Sequence, residues 1–237
     1  MLEGPVVIAE AVDAGIELTD VFVAEDDPAS LPLVERCADA GASILEVGDN
    51  VLKAIAGTAT PQGIVAVALM PTATLDDVPP GVDLVLVLAE VRDPGNAGTL
   101  VRTAAAAGAG CVVFTKGSAD PFGAKTVRAS AGAIFKIPVA RGVEVAEGLS
   151  DLKSRGFQIM GARGGAATTI HDVDLRGKTA IVLGNEAWGF DDPELPVDRW
   201  ASIPISAEVE SLNVATAGAV FLFEAARQRR LSSARHG

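Results

Sequence analysis

The sequence predicts an α/β protein with a mostly parallel sheet, preceded by a small α/β/α layer. Three observations carry that prediction. Strand-sized apolar runs alternate with helical stretches, the order that repeated βα units produce. The run Leu84-Val85-Leu86-Val87-Leu88 is apolar without a break, as a strand covered on both faces is. Glycines close successive helical stretches at Gly15, Gly41 and Gly57.

Taken in order, Val6 to Ala14 reads as a helix, Val21 to Ala24 as a strand and Leu33 to Ala40 as a second helix. Ser43 to Val47 reads as a strand, Asn50 to Ala56 as a short helix and Ile64 to Leu69 as a buried strand. The second part opens on the Leu84 strand. A loop, a helix from Asn96 to Ala107 and a strand from Cys111 to Phe114 follow. A helix from Val143 to Arg155 and strands at Gln158 to Gly161 and Ala180 to Leu183 continue the alternation. Trp200 to Ile205 is a last short strand, and Leu212 to about Arg230 a final long helix. Ligands are expected at the carboxyl ends of the strands in such a sheet.

Composition excludes several classes. The 237 residues are 49% hydrophobic and 21% charged, values of a folded globular chain rather than a disordered one. No apolar run approaches the length of a membrane helix, and no basic segment leads into an apolar one at the start, so a cytoplasmic protein without membrane contact is expected. Cys37 and Cys111 are too few for a disulfide framework, and with only His171 and His236 besides, no metal site is expected.

Charge is unevenly spread. Residues 1–80 hold 2 basic and 14 acidic residues, so the whole net charge of −12 sits there; residues 81–237 hold 17 of each sign. With the Pro-Pro pair at Pro79 and Pro80, this puts a linker at residues 71–81 between a first domain (1–70) and a second (82–237). An acidic first domain is poor material for gripping phosphates by field alone, so cations for any nucleic acid must come from the second.

Three loops carry candidate chemistry. The first runs from Glu90 to Arg102 and leaves the Leu84 strand to open a helix, where backbone N–H groups favour an anion. Asn96 and Arg102 lie nearly two turns apart and can lean toward one side, though an N-cap Asn96 and a solvated Arg102 would explain them equally. The second, Leu183-Gly184-Asn185-Glu186-Ala187-Trp188-Gly189-Phe190, puts a glycine, a carboxamide and a carboxylate at a strand tip. The third joins Ile203-Pro204-Ile205-Ser206 to Ser211-Leu212-Asn213-Val214. Ser211 is placed to cap the last helix, and Asn213, a mediocre helix former, falls in its first turn.

In this order the three loops resemble the three motifs of the SpoU/TrmH family of RNA 2′-O-ribose methyltransferases, in the SPOUT superfamily. Lys125 to Ala133 resembles the segment between the first two motifs. Gly4-Pro5, Val21 to Glu25 and Thr60 to Ala66 resemble the family's ribosomal-protein-like substrate-binding domain. The resemblance implies a carboxyl-terminal trefoil knot over about residues 180–230, a topology the usual connection rules would not give. It also implies S-adenosylmethionine as cofactor, RNA as substrate (ribosomal first, transfer RNA next) and a homodimer through the catalytic domain.

Residue by residue, the resemblance assigns catalysis to Asn96, Arg102, Glu186, Ser211 and Asn213. It assigns the cofactor to Thr115, Lys116, Gly117, Leu183, Gly184, Asn185, Ile203, Pro204 and Leu212. RNA contacts are expected at Lys125, Arg128, Ser130, Lys136 and Arg163. The family proposal makes the arginine, here Arg102, the general base. A guanidinium holds its proton to above about pH 12, and a phosphate neighbour strengthens that hold. Our reading is that Arg102 clamps the substrate phosphate and hydrogen-bonds the developing alkoxide, while water or Glu186 takes the proton. The alternatives are a catalytically silent knotted module that binds RNA or assists ribosome assembly, and an enzyme acting on nucleotides or phosphorylated small molecules.

Overall fold

The computed structural model describes residues 1–25, 30–56, 60–69, 73–184 and 195–233. The first part is a four-stranded sheet in the order β1-β4-β2-β3, built from β1 (Leu2–Glu3), β2 (Leu18–Ala24), β3 (Ser43–Val47) and β4 (Ile64–Ala68). β2 runs parallel to β3 and antiparallel to β4. Three helices accompany it, α1 (Pro5–Asp13), α2 (Leu31–Asp39) and α3 (Asp49–Ala56). Gly4 makes the corner between β1 and α1 at φ 94°, and a Cβ there would meet the Gln62 Oε1 at 2.3 Å. Only glycine fits that corner, and Pro5 then starts the helix where its missing N–H costs nothing.

The second part is a seven-stranded sheet in the order β7-β6-β5-β10-β8-β11-β9. Its strands are β5 (Leu84–Leu88), β6 (Cys111–Thr115), β7 (Val139–Val143), β8 (Gln158–Ala162), β9 (Thr168–Thr169), β10 (Thr179–Leu183) and β11 (Arg199–Ser202). Every pairing described in it is parallel. The unbroken apolar run of β5 has the predicted cause. Leu84, Leu86 and Leu88 enter one apolar cluster and Val85 and Val87 the other, so both faces are covered. The helices are α4 (Pro94–Ala107), α5 (Ala124–Ser130), α6 (Val145–Ser154) and α7 (Val214–Ser233).

From β10 the chain passes β8 to form β11, then returns so that α7 packs on α4, β10 and β8. Two glycines permit the close packing. A Cβ on Gly98 would lie 2.3 Å from the Thr126 carbonyl oxygen, joining α4 to α5. One on Gly218 would lie 2.3 Å from Leu100 Cδ2 and 2.6 Å from Leu183 Cδ1, joining α7 to α4 and β10.

Several boundaries differ from the sequence reading. β7 takes Val139–Val143, so α6 begins only at Val145; β7 is an edge strand with Arg141 and Gly142 exposed, and gives neither an alternating nor a continuous apolar signal. α5 lies where the sequence predicts no element. β11 ends at Ser202 because its neighbour β9 is only two residues long and Pro204 has no N–H to pair. The described part of the expected linker is not a free tether. Leu75 is buried against the second sheet, Arg155 Nη1 donates to the Leu75 carbonyl at 2.9 Å, and Arg155 pairs with Asp76 at 2.6 Å. One apolar cluster also runs from Leu2, Val7 and Ile8 of the first part to Val127 and Ile134 of the second.

Candidate active site

The strands β10, β8 and β11 are neighbours, so their carboxyl ends form one stretch of sheet edge. There a cavity of about 210 Å³ opens between the turns that leave them. Leu183 ends β10 and Gly184 follows it, Arg163 and Gly164 follow β8, and Ile203 and Ile205 lie in the chain after β11. Ser211 and Leu212 follow from the third loop, and Val214, Ala217 and Phe221 of α7 close the back. The walls are mainly apolar with glycine backbone among them, a surface suited to a flat heterocycle with polar edges. Four of the residues assigned to the cofactor, Leu183, Gly184, Ile203 and Leu212, line it, as does Ser211.

Beside the cavity the amino ends of α4 and α7 meet. Asn213 Oδ1 accepts from the backbone N–H of Ala215 at 2.9 Å and of Thr216 at 3.2 Å, so Asn213 caps α7. The sequence reading gave that cap to Ser211; α7 starts two residues later than expected, which moves the cap to Asn213. With its oxygen committed to the helix, the Asn213 amide nitrogen points outward and donates to Asn96 Oδ1 at 3.0 Å. Asn96 is not a cap either. Asp93 caps α4, its Oδ1 accepting the Asn96 N–H at 2.7 Å. That hydrogen bond, with Lys125 nearby, holds the Asp93 carboxyl below the usual carboxylate range. Arg102 is exposed on α4, six residues beyond Asn96, and no carboxylate among the described residues pairs with it.

Other assigned residues stand elsewhere. Thr115 is buried and its Oγ1 donates to the Leu88 carbonyl and accepts the Glu90 N–H, both at 3.1 Å, tying β6 to β5. Lys116 pairs with Glu144 at 2.7 Å, and neither these two nor Gly117 and Pro204 are among the residues lining the cavity. Asn185 and Glu186 lie outside the described residues.

Of the expected RNA contacts, Ser130 is fully buried with its hydroxyl donating to the Val127 carbonyl at 2.7 Å, so it is packing and not surface. Arg128 pairs with Glu3 at 2.9 Å, Lys136 with Glu10, and Lys125 with Asp93 at 3.4 Å. Arg163 lines the cavity and lies over the Trp200 ring, 4.2 Å from its centroid. Sequence reasoning missed Trp200 and Glu210 as site residues. Glu210 lines the cavity and stood unremarked in the third loop.

Residues 83–223 match the model of the SpoU rRNA methylase family. The chain belongs to that family. Residues 1–73 match a second model, that of the RNA 2′-O ribose methyltransferase substrate-binding domain. Among curated relatives, a 23S rRNA (guanosine-2′-O-)-methyltransferase of Xylella fastidiosa is 38% identical over 209 residues, which is 85% of this chain and 84% of that protein. Two solved structures are similar throughout. One is the SpoU methyltransferase AviRb of Streptomyces viridochromogenes in complex with AdoMet, 26% identical with a TM-score of 0.87 over 96% of this chain and 89% of that one. The other is an AdoMet-bound rRNA methyltransferase of Sinorhizobium meliloti, 30% identical with a TM-score of 0.81 over 95% and 85%. The large parallel sheet of this SpoU chain is the architecture those structures share.

Proposed function

We propose that this SpoU protein methylates a ribose 2′-hydroxyl of RNA, ribosomal RNA first, with S-adenosylmethionine as donor. The observation that carries the reading is the cavity at the β10-β8-β11 edge, with Asn96 and Asn213 hydrogen-bonded to each other beside it. The described residues fit the cofactor: Leu183, Ile203, Leu212 and Phe221 give apolar walls for an adenine, and the Gly184 backbone allows close approach. When bound, S-adenosylmethionine supplies a methyl group activated by its sulfonium.

The remaining work falls to positioning and proton handling. In-line alignment of a reacting hydroxyl can be worth roughly 7–11 kcal/mol. Arg102, exposed on the same helix as Asn96, holds the substrate phosphate and hydrogen-bonds the developing alkoxide. Water or Glu186 receives the proton, and Ser211 and Asn213 order the pocket edge. Residues 1–70 serve as the RNA-binding domain and 82–237 as the catalytic one, and the two family models, which match 1–73 and 83–223, support that division.

The return of α7 past β8 onto β10 is the path that a trefoil knot over about 180–230 would take. Exposed Phe223 and Leu231 on α7 are apolar surface for a second copy, in keeping with a homodimer through the catalytic domain. No helix among the described residues is long and apolar enough to cross a membrane. Ribosomal RNA as substrate is in keeping with work in the cytoplasm.

The test is methyl transfer from labelled S-adenosylmethionine to RNA, with the modified ribose mapped. Arg102→Lys should lose at least roughly tenfold in rate with RNA affinity held. Retained rate in Arg102→Lys would remove the guanidinium from the mechanism, and methyl groups on a base would overturn the reaction itself.

A further inference from the structure

Among the described residues two that are not glycine take left-handed backbone, Glu90 at φ 56° and Ala131 at φ 46°. Ala131 ends α5, where that conformation is ordinary. Glu90 leaves the central strand β5, where no regular structure calls for it, and such backbone persists only when the surroundings enforce it. The turn is fixed from both flanks. The Ala89 N–H donates to the carbonyl of Leu183, a wall of the cavity, at 2.8 Å. The Glu90 N–H donates to the Thr115 hydroxyl at 3.1 Å, and that hydroxyl, buried at the end of β6, donates in turn to the Leu88 carbonyl. Ser118 Oγ donates to the same carbonyl at 2.9 Å, and the Ala119 N–H to the Val91 carbonyl at 2.9 Å. Gly117 lies against the Glu90 side chain, where a Cβ would come within 3.2 Å of Glu90 Cγ.

We propose that Thr115 is a positioning residue for methyl transfer: its hydroxyl holds Glu90 in the left-handed turn that aims α4, and so sets Asn96 against Asn213 and Arg102 toward the substrate. The inference rests on the methyl-transfer reading above and goes beyond it, giving Thr115 a part in the reaction without contact to cofactor or RNA. Helix packing does not fix the first turn of α4 by itself. Its buried face begins at Ala97, whereas residues 92–96 are exposed or half-buried, so the turn takes its direction from the chain that enters it. Val91 is the last buried residue before that turn, and its carbonyl is held by Ala119, in the loop that follows Thr115. Asn96 stands six residues past Glu90 and meets Asn213 at 3.0 Å, a bond that a small rotation at Glu90 would open. A misplacement of about 1 Å at a reacting centre can cost about a hundredfold in rate. Cofactor contact, the role the resemblance implies for Thr115, fits less well. The hydroxyl is engaged by backbone on both sides, and Thr115 is not among the residues lining the cavity.

Single-turnover methyl transfer to unmodified ribosomal RNA, measured on the full chain, reads the rate apart from binding. Titration calorimetry with S-adenosylhomocysteine and fluorescence anisotropy with RNA read the two affinities, and urea denaturation reads the fold. Thr115→Val keeps the shape and removes the hydroxyl. Its rate should fall roughly tenfold or more while both affinities stay within about twofold. Thr115→Ser restores the hydroxyl and should recover most of the loss. Ser118→Ala removes a bond to the same Leu88 carbonyl without touching Glu90, so it should lower the urea midpoint and keep the rate within about twofold. Should Thr115→Val not fold, Thr115→Cys takes its place, since a thiol accepts only weakly. An unchanged rate in that variant overturns the proposal, as does a loss in Ser118→Ala equal to the loss in Thr115→Val. Weakened S-adenosylhomocysteine binding at an undiminished rate overturns it in favour of a cofactor contact. A wild-type chain that transfers no methyl group to RNA overturns the reaction reading, and this proposal with it.

Discussion

The Asn213 side chain is divided between two tasks: its oxygen caps α7, and its nitrogen donates to Asn96 Oδ1 at 3.0 Å. The cap removes the ambiguity of the amide's orientation, since only the oxygen can accept from the two helix N–H groups. The amino ends of α4 and α7 are thereby linked through side chains 117 residues apart in sequence.

The two tasks can be separated by substitution. Asn213→Ala removes both and should cost about 1 kcal/mol of stability in urea denaturation. Asn213→Asp keeps the cap, so its stability should stay within about 0.5 kcal/mol of wild type. It replaces the amide donor by an anion, and methyl transfer should fall at least roughly tenfold. Full activity in Asn213→Asp would show that the bond to Asn96 serves folding alone.

The glycines that bring the helices together should not be equally replaceable. In Gly98→Ala the new methyl meets the Thr126 backbone carbonyl at 2.3 Å, which cannot step aside without moving α5. In Gly218→Ala it meets the ends of the Leu100 and Leu183 side chains, which can turn. Overpacking costs about 1–3 kcal/mol and alanine returns up to about 1 through helix propensity. Gly98→Ala should therefore show the clearly lower urea midpoint. Because Leu183 lines the cavity, Gly218→Ala should weaken cofactor binding more than it weakens the fold.

Acid should loosen α4 from its amino end. The hydrogen bond from the Asn96 N–H depresses the Asp93 carboxyl below its ordinary value, so the stabilisation is fully present above the unfolded value, near about pH 4. It is lost as pH falls through the lower, folded value. In Asp93→Asn the cap survives without the charge. The gap in urea midpoint between wild type and Asp93→Asn should hold above about pH 4 and narrow as pH falls below it, and a gap independent of pH would contradict the assignment.

An RNA phosphate at Arg128 or Lys136 would have to compete with the protein's own carboxylates. Glu3 holds Arg128 at 2.9 Å and Glu10 holds Lys136, so phosphates reach these cations only by displacing acids of the first domain. A partly exposed pair is worth little, about 0–1 kcal/mol, so the exchange is cheap. Glu3→Gln should tighten RNA binding at low salt, and Arg128→Glu should weaken it and flatten the salt dependence by about one phosphate contact. Indifference of both variants would take Arg128 off the RNA path.

The strands of the central sheet were legible because burial on both faces leaves an unmistakable apolar run, as in β5 and β10. β7 and α5 were not, since an edge strand containing Arg141 and Gly142 has no periodic signature, and seven residues make less than two helical turns. Within the site, Leu183, Gly184, Ile203 and Leu212 were legible through their motifs. The stack of Gly161, Trp200 and Arg163 joins separate strands through register alone, and spacing along the chain carries no trace of it. Thr115 is a different case. The family resemblance assigned it to the cofactor, and its hydroxyl is taken up by the Leu88 carbonyl and the Glu90 N–H.

The rear wall of the cavity belongs to α7, which follows every other described element in chain order. During synthesis the sheet is therefore finished while its carboxyl edge still lacks a lid, and Leu183 faces water until Val214, Ala217 and Phe221 emerge from the ribosome. A nascent chain stopped short of Val214 would carry a greasy trough that no small molecule could yet fill. The ability to take up methyl donor would arrive in a single late event and not grow with the chain.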